Sequence, residues 1–159
     1  MPPGGIDTAT VHGTAIAING QAVLMRGPPG SGKSDLALRA LSLPGSPLLT
    51  PAFELVADDQ VTLRRDKGGL TVEAPATLKG LLEVRGSGIV AVPSIGAARL
   101  VLLADLTMAD RVERFPDPWP TEILLGIRLP VLRIAPFEAS APLKLALALT
   151  RRPWEGISP

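Results

Sequence analysis

The sequence contains no cysteine among its 159 residues. That excludes a disulfide framework, thiolate catalysis and thiol-ligated zinc, and it is compatible with a reducing compartment. Massed charge of one sign is also missing. Sixteen Lys and Arg against fifteen Asp and Glu leave a formal net charge of +1, scattered along the chain. Neither nucleic acid nor an anionic membrane is therefore indicated as a partner. No apolar run approaches the length that spans a bilayer, and Met1-Pro2-Pro3-Gly4-Gly5 lacks the basic start and apolar segment of an export signal. The expectation is a soluble, untargeted, cytoplasmic protein. Long helices have little room, since 17 prolines and 16 glycines imply many turns. What is present is an apolar fraction of 46% and a charged fraction of 19%, ordinary for a globular chain. The length fits a single domain over residues 1–159 with a real core.

One stretch organises the rest. Gly27-Pro28-Pro29-Gly30-Ser31-Gly32-Lys33-Ser34 follows the apolar run Ala22-Val23-Leu24-Met25 and opens into Asp35-Leu36-Ala37-Leu38-Arg39-Ala40-Leu41, which has helical spacing. Strand, glycine-rich loop and helix in that order are the context of a phosphate-binding loop. The spacing Gly27-x4-Gly32-Lys33-Ser34 fits the Walker A pattern, whose backbone N–H groups wrap nucleotide phosphates at the positive end of a helix. Gly30 and Gly32 can take positive φ and let the main chain approach an anion. Lys33 would neutralise the β- and γ-phosphates, and the Ser34 hydroxyl would meet a magnesium ion. The plainer reading is a strand-to-helix turn that carries Lys and Ser by coincidence; the full pattern and both flanks favour the phosphate loop.

In chain order, Asn19-Gly20 predicts an antiparallel hairpin of Thr10–Ile18 with Gln21–Met25, whose second strand feeds the loop. His12 sits near the start of the first strand, where a lone histidine is more often structural than catalytic. The helix after the loop is expected to end by Ser42, ahead of Pro44-Gly45. Phe53–Ala57 reads as a short apolar strand ending on Asp58-Asp59, where an open α/β sheet usually puts its ligand. Two adjacent acids can do different jobs only if the chain leaves the strand there. A solvated turn is the bland alternative, but a Walker-type NTPase requires such an acid. Gln60–Arg65 and Leu70–Ala74 read as a second hairpin. In Leu81–Val90, Glu83 and Arg85 would face one way from an extended strand, either as a surface ion pair or as a magnesium-holding carboxylate beside a phosphate-binding guanidinium. Arg99–Asp105 has the pattern of a central buried strand, and Ile123–Leu125 and Leu129–Ile134 are further strands. Ala141–Arg151 reads as a last helix packing through Leu143, Ala146, Leu147 and Thr150.

Taken together, His12-Gly13, Gly27–Ser34, Leu55-Val56-Ala57-Asp58-Asp59 and Leu82-Glu83-Val84-Arg85-Gly86-Ser87-Gly88-Ile89 resemble the bacterial HPr kinase/phosphorylase family in order, spacing and residue type. The Glu-aliphatic-Arg-Gly-x-Gly-Ile segment is similar to that family's own signature. The resemblance spans about His12 to Leu149. It implies an α/β fold: a P-loop kinase core with a mixed β-sheet, related to phosphoenolpyruvate carboxykinase and usually assembled as a homo-hexamer. It further implies ATP and magnesium as cofactors, a serine of an HPr-like phosphocarrier protein as acceptor, and in many members a reverse phosphorolysis.

By position, the resemblance makes Asp58 the proton-transferring acid, with His12 beside it and Lys33 on the phosphates. Ser34, Asp59 and Glu83 become magnesium ligands, and Arg85 and Arg114 phosphate contacts. Two departures stand out. Longer members carry an N-terminal domain, and their C-terminal Gly-Arg-Asn segment is replaced here by Phe137-Glu138-Ala139-Ser140-Ala141-Pro142. The sequence thus resembles a short form found in some proteobacteria. Two other readings are an ATP-sensing module without transfer and a P-loop kinase of a small molecule. The second would normally bring a lid with several arginines, and no such cluster is visible.

Overall fold

The structure, a computed structural model, describes residues 7–49 and 52–156. The N-terminal residues 1–6 and the link at 50–51 lie outside the described residues. In chain order the elements are β1 (Thr8–His12), β2 (Thr14–Ile18), β3 (Gln21–Arg26), α1 (Lys33–Leu41), β4 (Glu54–Ala57), β5 (Gln60–Asp66) and β6 (Gly69–Glu73). There follow β7 (Leu81–Val84), β8 (Gly88–Ala91), β9 (Ala97–Leu106), β10 (Thr121–Leu124), β11 (Ile127–Ile134) and α2 (Ala141–Arg151). This is a mixed α/β fold whose two α-helices among the described residues are short, 9 and 11 residues, as the proline and glycine content implied.

The Asn19-Gly20 turn sets the first register. β2 and β3 pair antiparallel across it, Ala17 opposite Ala22 and Ile18 opposite Gln21. Asn19 and Gly20 both take positive φ, 51° and 75°, as the two-residue hairpin loop demands. The expected first strand, however, is cut in two at Gly13. A Cβ there would lie 2.8 Å from Leu24 Cδ1 and 2.8 Å from the Met25 carbonyl oxygen, so only glycine fits. Its N–H donates to the Asp59 carbonyl at 3.1 Å. Upstream of this pinch β1 leaves the hairpin and pairs with β5, placing His12 opposite Gln60.

β9 is the centre of the sheet. One side runs parallel to β3; on the other, its first residues pair antiparallel with β6 and its last ones parallel with β11. The main path is β1-β5-β6-β9-β3-β2-β4, while β11 carries β10 at its own edge. Alternation along the central strands separates two cores. Ile16, Ile18, Val23, Met25, Leu102 and Ala104 meet Leu36 and Ala40 of α1 and Leu145 and Leu149 of α2. Ala15, Ala17, Ala22, Leu24 and Leu103 face the other way, toward Val61, Leu63, Leu70 and Val72. Every residue of β2 is buried, which is the pattern of a strand covered on both faces.

α2 has its expected bounds but turns a different face inward. Ala141, Pro142, Leu145, Ala146, Ala148 and Leu149 are buried, whereas Leu143 and Thr150 are exposed and Leu147 is half-buried. The run Leu143-Lys144-Leu145-Ala146-Leu147-Ala148-Leu149 is apolar almost all round, so periodicity alone could not choose between its faces.

Arg26, the last residue of β3, anchors the loop that follows. Its guanidinium forks onto Asp105 of β9 (Nε–Oδ1 2.7 Å, Nη2–Oδ2 3.0 Å) and Glu122 of β10 (Nη1–Oε2 2.5 Å, Nη2–Oε1 3.0 Å). The hydrogen bonds to Arg26 hold the Glu122 carboxyl below its usual value. Both carboxylates are partly exposed, so screening limits the worth of the cluster. Arg26→Met is expected to lower stability by about 1–2 kcal/mol near pH 7. The Glu122 contribution is complete above the unfolded glutamate value and is lost as pH falls through the lowered native one. Urea denaturation at descending pH should therefore find the gap between the two proteins closing in the acid range. A gap that stays constant would contradict the assignment.

Candidate functional site

β2 runs antiparallel to both β3 and β4, so the C-terminal ends of β3 and β4 point the same way. The glycine-rich loop after β3 and the acids after β4 consequently face one another. Between them lies a cavity of about 700 Å³, within the range of small-molecule sites.

The loop is shaped by its glycines. Gly30 and Gly32 take φ of 80° and 101°, and a Cβ on Gly32 would come within 3.0 Å of the Phe137 ring. Gly27 must be bare for another reason: a Cβ would lie 2.5 Å from Ser31 Oγ. The Ser31 hydroxyl is itself buried and has no partner among the described residues. The Ser31 N–H donates to the Pro28 carbonyl at 3.0 Å, which closes the turn. Lys33 Nζ donates to the carbonyls of Gly27 (2.7 Å) and Pro28 (3.1 Å), curling the cation back over the loop, and Pro29 lines the cavity. α1 begins at Lys33 with no side-chain cap, so the first-turn N–H groups, which have no intrahelical acceptor, open on this space. A positive helix end and a lysine together suit polyanionic oxygen.

Asp58 forms the floor of the acidic side, only 5% exposed. Its Oδ1 accepts from Ser34 Oγ and from Thr14 Oγ1, each at 2.8 Å, and its Oδ2 accepts from the Glu83 N–H at 2.9 Å. That last bond docks the separate β7–β8 hairpin against the main sheet. Asp59 does leave the strand, with φ of 69°, and its exposed side chain lines the cavity beside His12. The two are brought together by the β1–β5 ladder and the Gly13–Asp59 hydrogen bond. Glu83 and Arg85 line the same cavity, Glu83 from β7 and Arg85 from the turn just beyond it.

Among the described residues no three His, Cys, Asp or Glu side chains converge as a ready-made metal cage. Magnesium does not need one. It usually takes one or two carboxylates, with the remainder supplied by phosphate and water. A serine hydroxyl and carboxylates are hard oxygen donors that fit this ion, and the adjacent anion cradle would hold the phosphate that completes its shell.

Not every expected residue lines the cavity: Pro28 and Ser31 of the loop do not, nor does Arg114. Arg114 lies in the proline-rich link between β9 and β10, outside the cavity, and its guanidinium stacks on the neighbouring Phe115 ring at 5.6 Å. Thr14, Leu38 and Phe137 line the site without having been anticipated. Only Thr14 left a trace in the sequence, as the one hydroxyl in an otherwise apolar strand.

Residues 6–134 match the family model described as HPr Serine kinase C-terminal domain. The HPr kinase/phosphorylase of Bordetella pertussis is 37% identical over 141 residues, covering 80% of this chain and 43% of that protein. That of Brevibacillus brevis is 33% identical over 129 residues, covering 80% and 39%. The chain thus spans less than half the length of these curated relatives. Among solved structures, the HPr(Ser) kinase/phosphatase from Coxiella burnetii is similar with a TM-score of 0.74 and 25% identity, over 91% of this chain and 95% of that one.

Proposed function

This chain belongs to the HPr serine kinase C-terminal domain family, and from that premise we propose that it is an ATP- and magnesium-dependent protein serine kinase whose acceptor is an HPr-like phosphocarrier protein. The proposal includes a single domain with the P-loop core of the phosphoenolpyruvate carboxykinase kind, a cytoplasmic location and a homo-oligomeric assembly. The observation that carries it is the 2.8 Å hydrogen bond from Ser34 to Asp58, which joins the last residue of the anion cradle to a buried acid. In P-loop NTPases a loop Ser or Thr and an acid in this relation hold the metal together.

That relation also redistributes the two aspartates. Asp58, engaged by three donors, belongs with Ser34 and Glu83 in the set that would hold magnesium. Asp59, exposed and turned out of the strand beside His12, becomes the proton acceptor. Bound magnesium would neutralise charge on the β- and γ-phosphates. Lys33 would leave the Gly27 and Pro28 carbonyls for the phosphates, and the first-turn amides of α1 would orient them. The acceptor serine oxygen attacks the γ-phosphorus, its proton passes to Asp59, and ADP leaves. In reverse, inorganic phosphate would attack the phosphoserine and Asp59 would return the proton to the serine oxygen, giving pyrophosphate.

One feature favours a protein acceptor over a metabolite, and another favours transfer over sensing. Among the described residues the cationic side chains lining the cavity are Lys33 and Arg85 alone, too few for an arginine-rich lid. Both aspartates are retained, which favours chemistry over nucleotide sensing. Incubation with labelled ATP and either HPr or a metabolite panel is expected to label HPr at serine, with label released by phosphate if the reverse reaction runs. Label on a metabolite alone would overturn the assignment, and ATP binding without transfer to any acceptor would leave the sensor.

A further inference from the structure

We infer that Phe137 is the platform on which the nucleobase stacks, a reading that rests on the proposed use of the cavity for ATP. Phosphates on the loop fix only one end of a nucleotide, and the sheet order says where the other end goes. Across the sheet the strands run β4-β2-β3-β9-β11. β3, β9 and β11 are parallel, so their C-terminal ends emerge on one side. The loop follows β3 in the middle, the acids follow β4 on one flank, and Phe137 follows β11 on the other. The γ-phosphate must lie toward the acids for transfer to occur. The nucleoside must then lie toward Phe137.

The residue is built for that role. Phe137 is 72% exposed although it lines the cavity, in a chain whose aromatic content is 3%. Its Cε1 and Cζ edge rests against Gly32 and leaves the remainder of the ring uncovered. The segment carrying it is fixed from both helices: the Arg39 guanidinium of α1 donates to the carbonyls of Pro136 and Glu138, and Lys144 of α2 pairs with Glu138 at 2.6 Å. An aromatic face held in place before the ligand arrives loses little freedom on stacking. Leu38, partly exposed one turn into α1, adds an apolar wall to the same cavity. Phe137 lies beyond residue 134, where the family match ends, so the assignment stands on this chain's own packing.

Stacking recognises the base and not the phosphates, which supplies the test. Calorimetric titration of the full chain compares ATP with tripolyphosphate, which lacks a base. Phe137→Ala is expected to weaken ATP by about 5- to 150-fold and to leave tripolyphosphate within twofold. Phe137→Trp should keep ATP affinity and add a fluorescence signal quenched by ATP but not by tripolyphosphate. Equal weakening of both ligands by Phe137→Ala would mean that the ring only props Gly32, and an unchanged ATP affinity would mean that the base lies elsewhere; either overturns the inference. If the unsubstituted protein bound neither ligand, the nucleotide reading itself would fall. Transfer to HPr is not measured here, so its failure leaves the base platform intact.

Discussion

Asp59→Asn is expected to slow phosphoryl transfer by about 10²- to 10⁴-fold, the usual worth of a general base, with ATP affinity unchanged. The substitution isolates chemistry from folding unusually well. Asp59 sits at φ of 69° with an exposed side chain, and asparagine tolerates the left-handed region better than other residues with a side chain. Stability should therefore move by no more than about 0.5 kcal/mol. Asp58→Asn tests the neighbouring role. An asparagine there can turn its oxygen to the Glu83 N–H and offer its amide to the Ser34 and Thr14 hydroxyls, which can accept. The fold should survive while the charge is lost. Transfer should fall with a rise of about tenfold or more in the magnesium needed for half-maximal rate, a shift that Asp59→Asn lacks. Steady-state assays over a magnesium series distinguish the two. Normal transfer by Asp59→Asn, with loss but no magnesium shift in Asp58→Asn, would return the proton acceptor to Asp58.

Gly32→Val should abolish ATP binding, with affinity reduced by more than about 100-fold, and cost roughly 2–4 kcal/mol of stability. Two effects combine at this position. A β-branched residue is strained at φ of 101°, and its Cβ would meet the Phe137 ring at 3.0 Å. The strain acts on the residue that opens α1, so the first-turn amides are redirected as well. Gly30→Ala is the internal control: φ there is 80° but nothing lies within 4 Å of the added carbon. It should lose only about 1–2 kcal/mol from the backbone and retain ATP. Urea denaturation and calorimetric titration read both quantities. Gly32→Val binding ATP as tightly as the parent would mean that the phosphates do not rest on the loop in this conformation.

What could be read from the sequence was the local part of the site. The glycine loop, the Asn19-Gly20 turn and the strand ending on paired acids are signals carried by adjacent residues, and each is found where local physics puts it. Long-range placement was not legible. Nothing near His12 indicates that Gly13 pinches against Leu24 and sends β1 to β5, yet that exchange of partners puts His12 on the same cavity as Asp59. β9 changes neighbours partway along, from β6 to β11, a choice no single strand encodes. Thr14 stands out as the hydroxyl of an apolar strand, but nothing local pairs that hydroxyl with Asp58, whose Oδ1 lies 2.8 Å away. Arg114 shows the converse failure, a plausible residue type carried off by the conformation of its link.

The position of β1 carries a last consequence. It is an edge strand, held through one five-residue ladder to β5, and half-exposed along its length. Fraying at such a margin needs far less free energy than melting the molecule. His12 would swing away while the nucleotide cradle, seated on the interior strand β3, remained whole. Warming should therefore silence turnover before it releases ATP, and the amides of β1 should exchange with deuterium well ahead of those in β3.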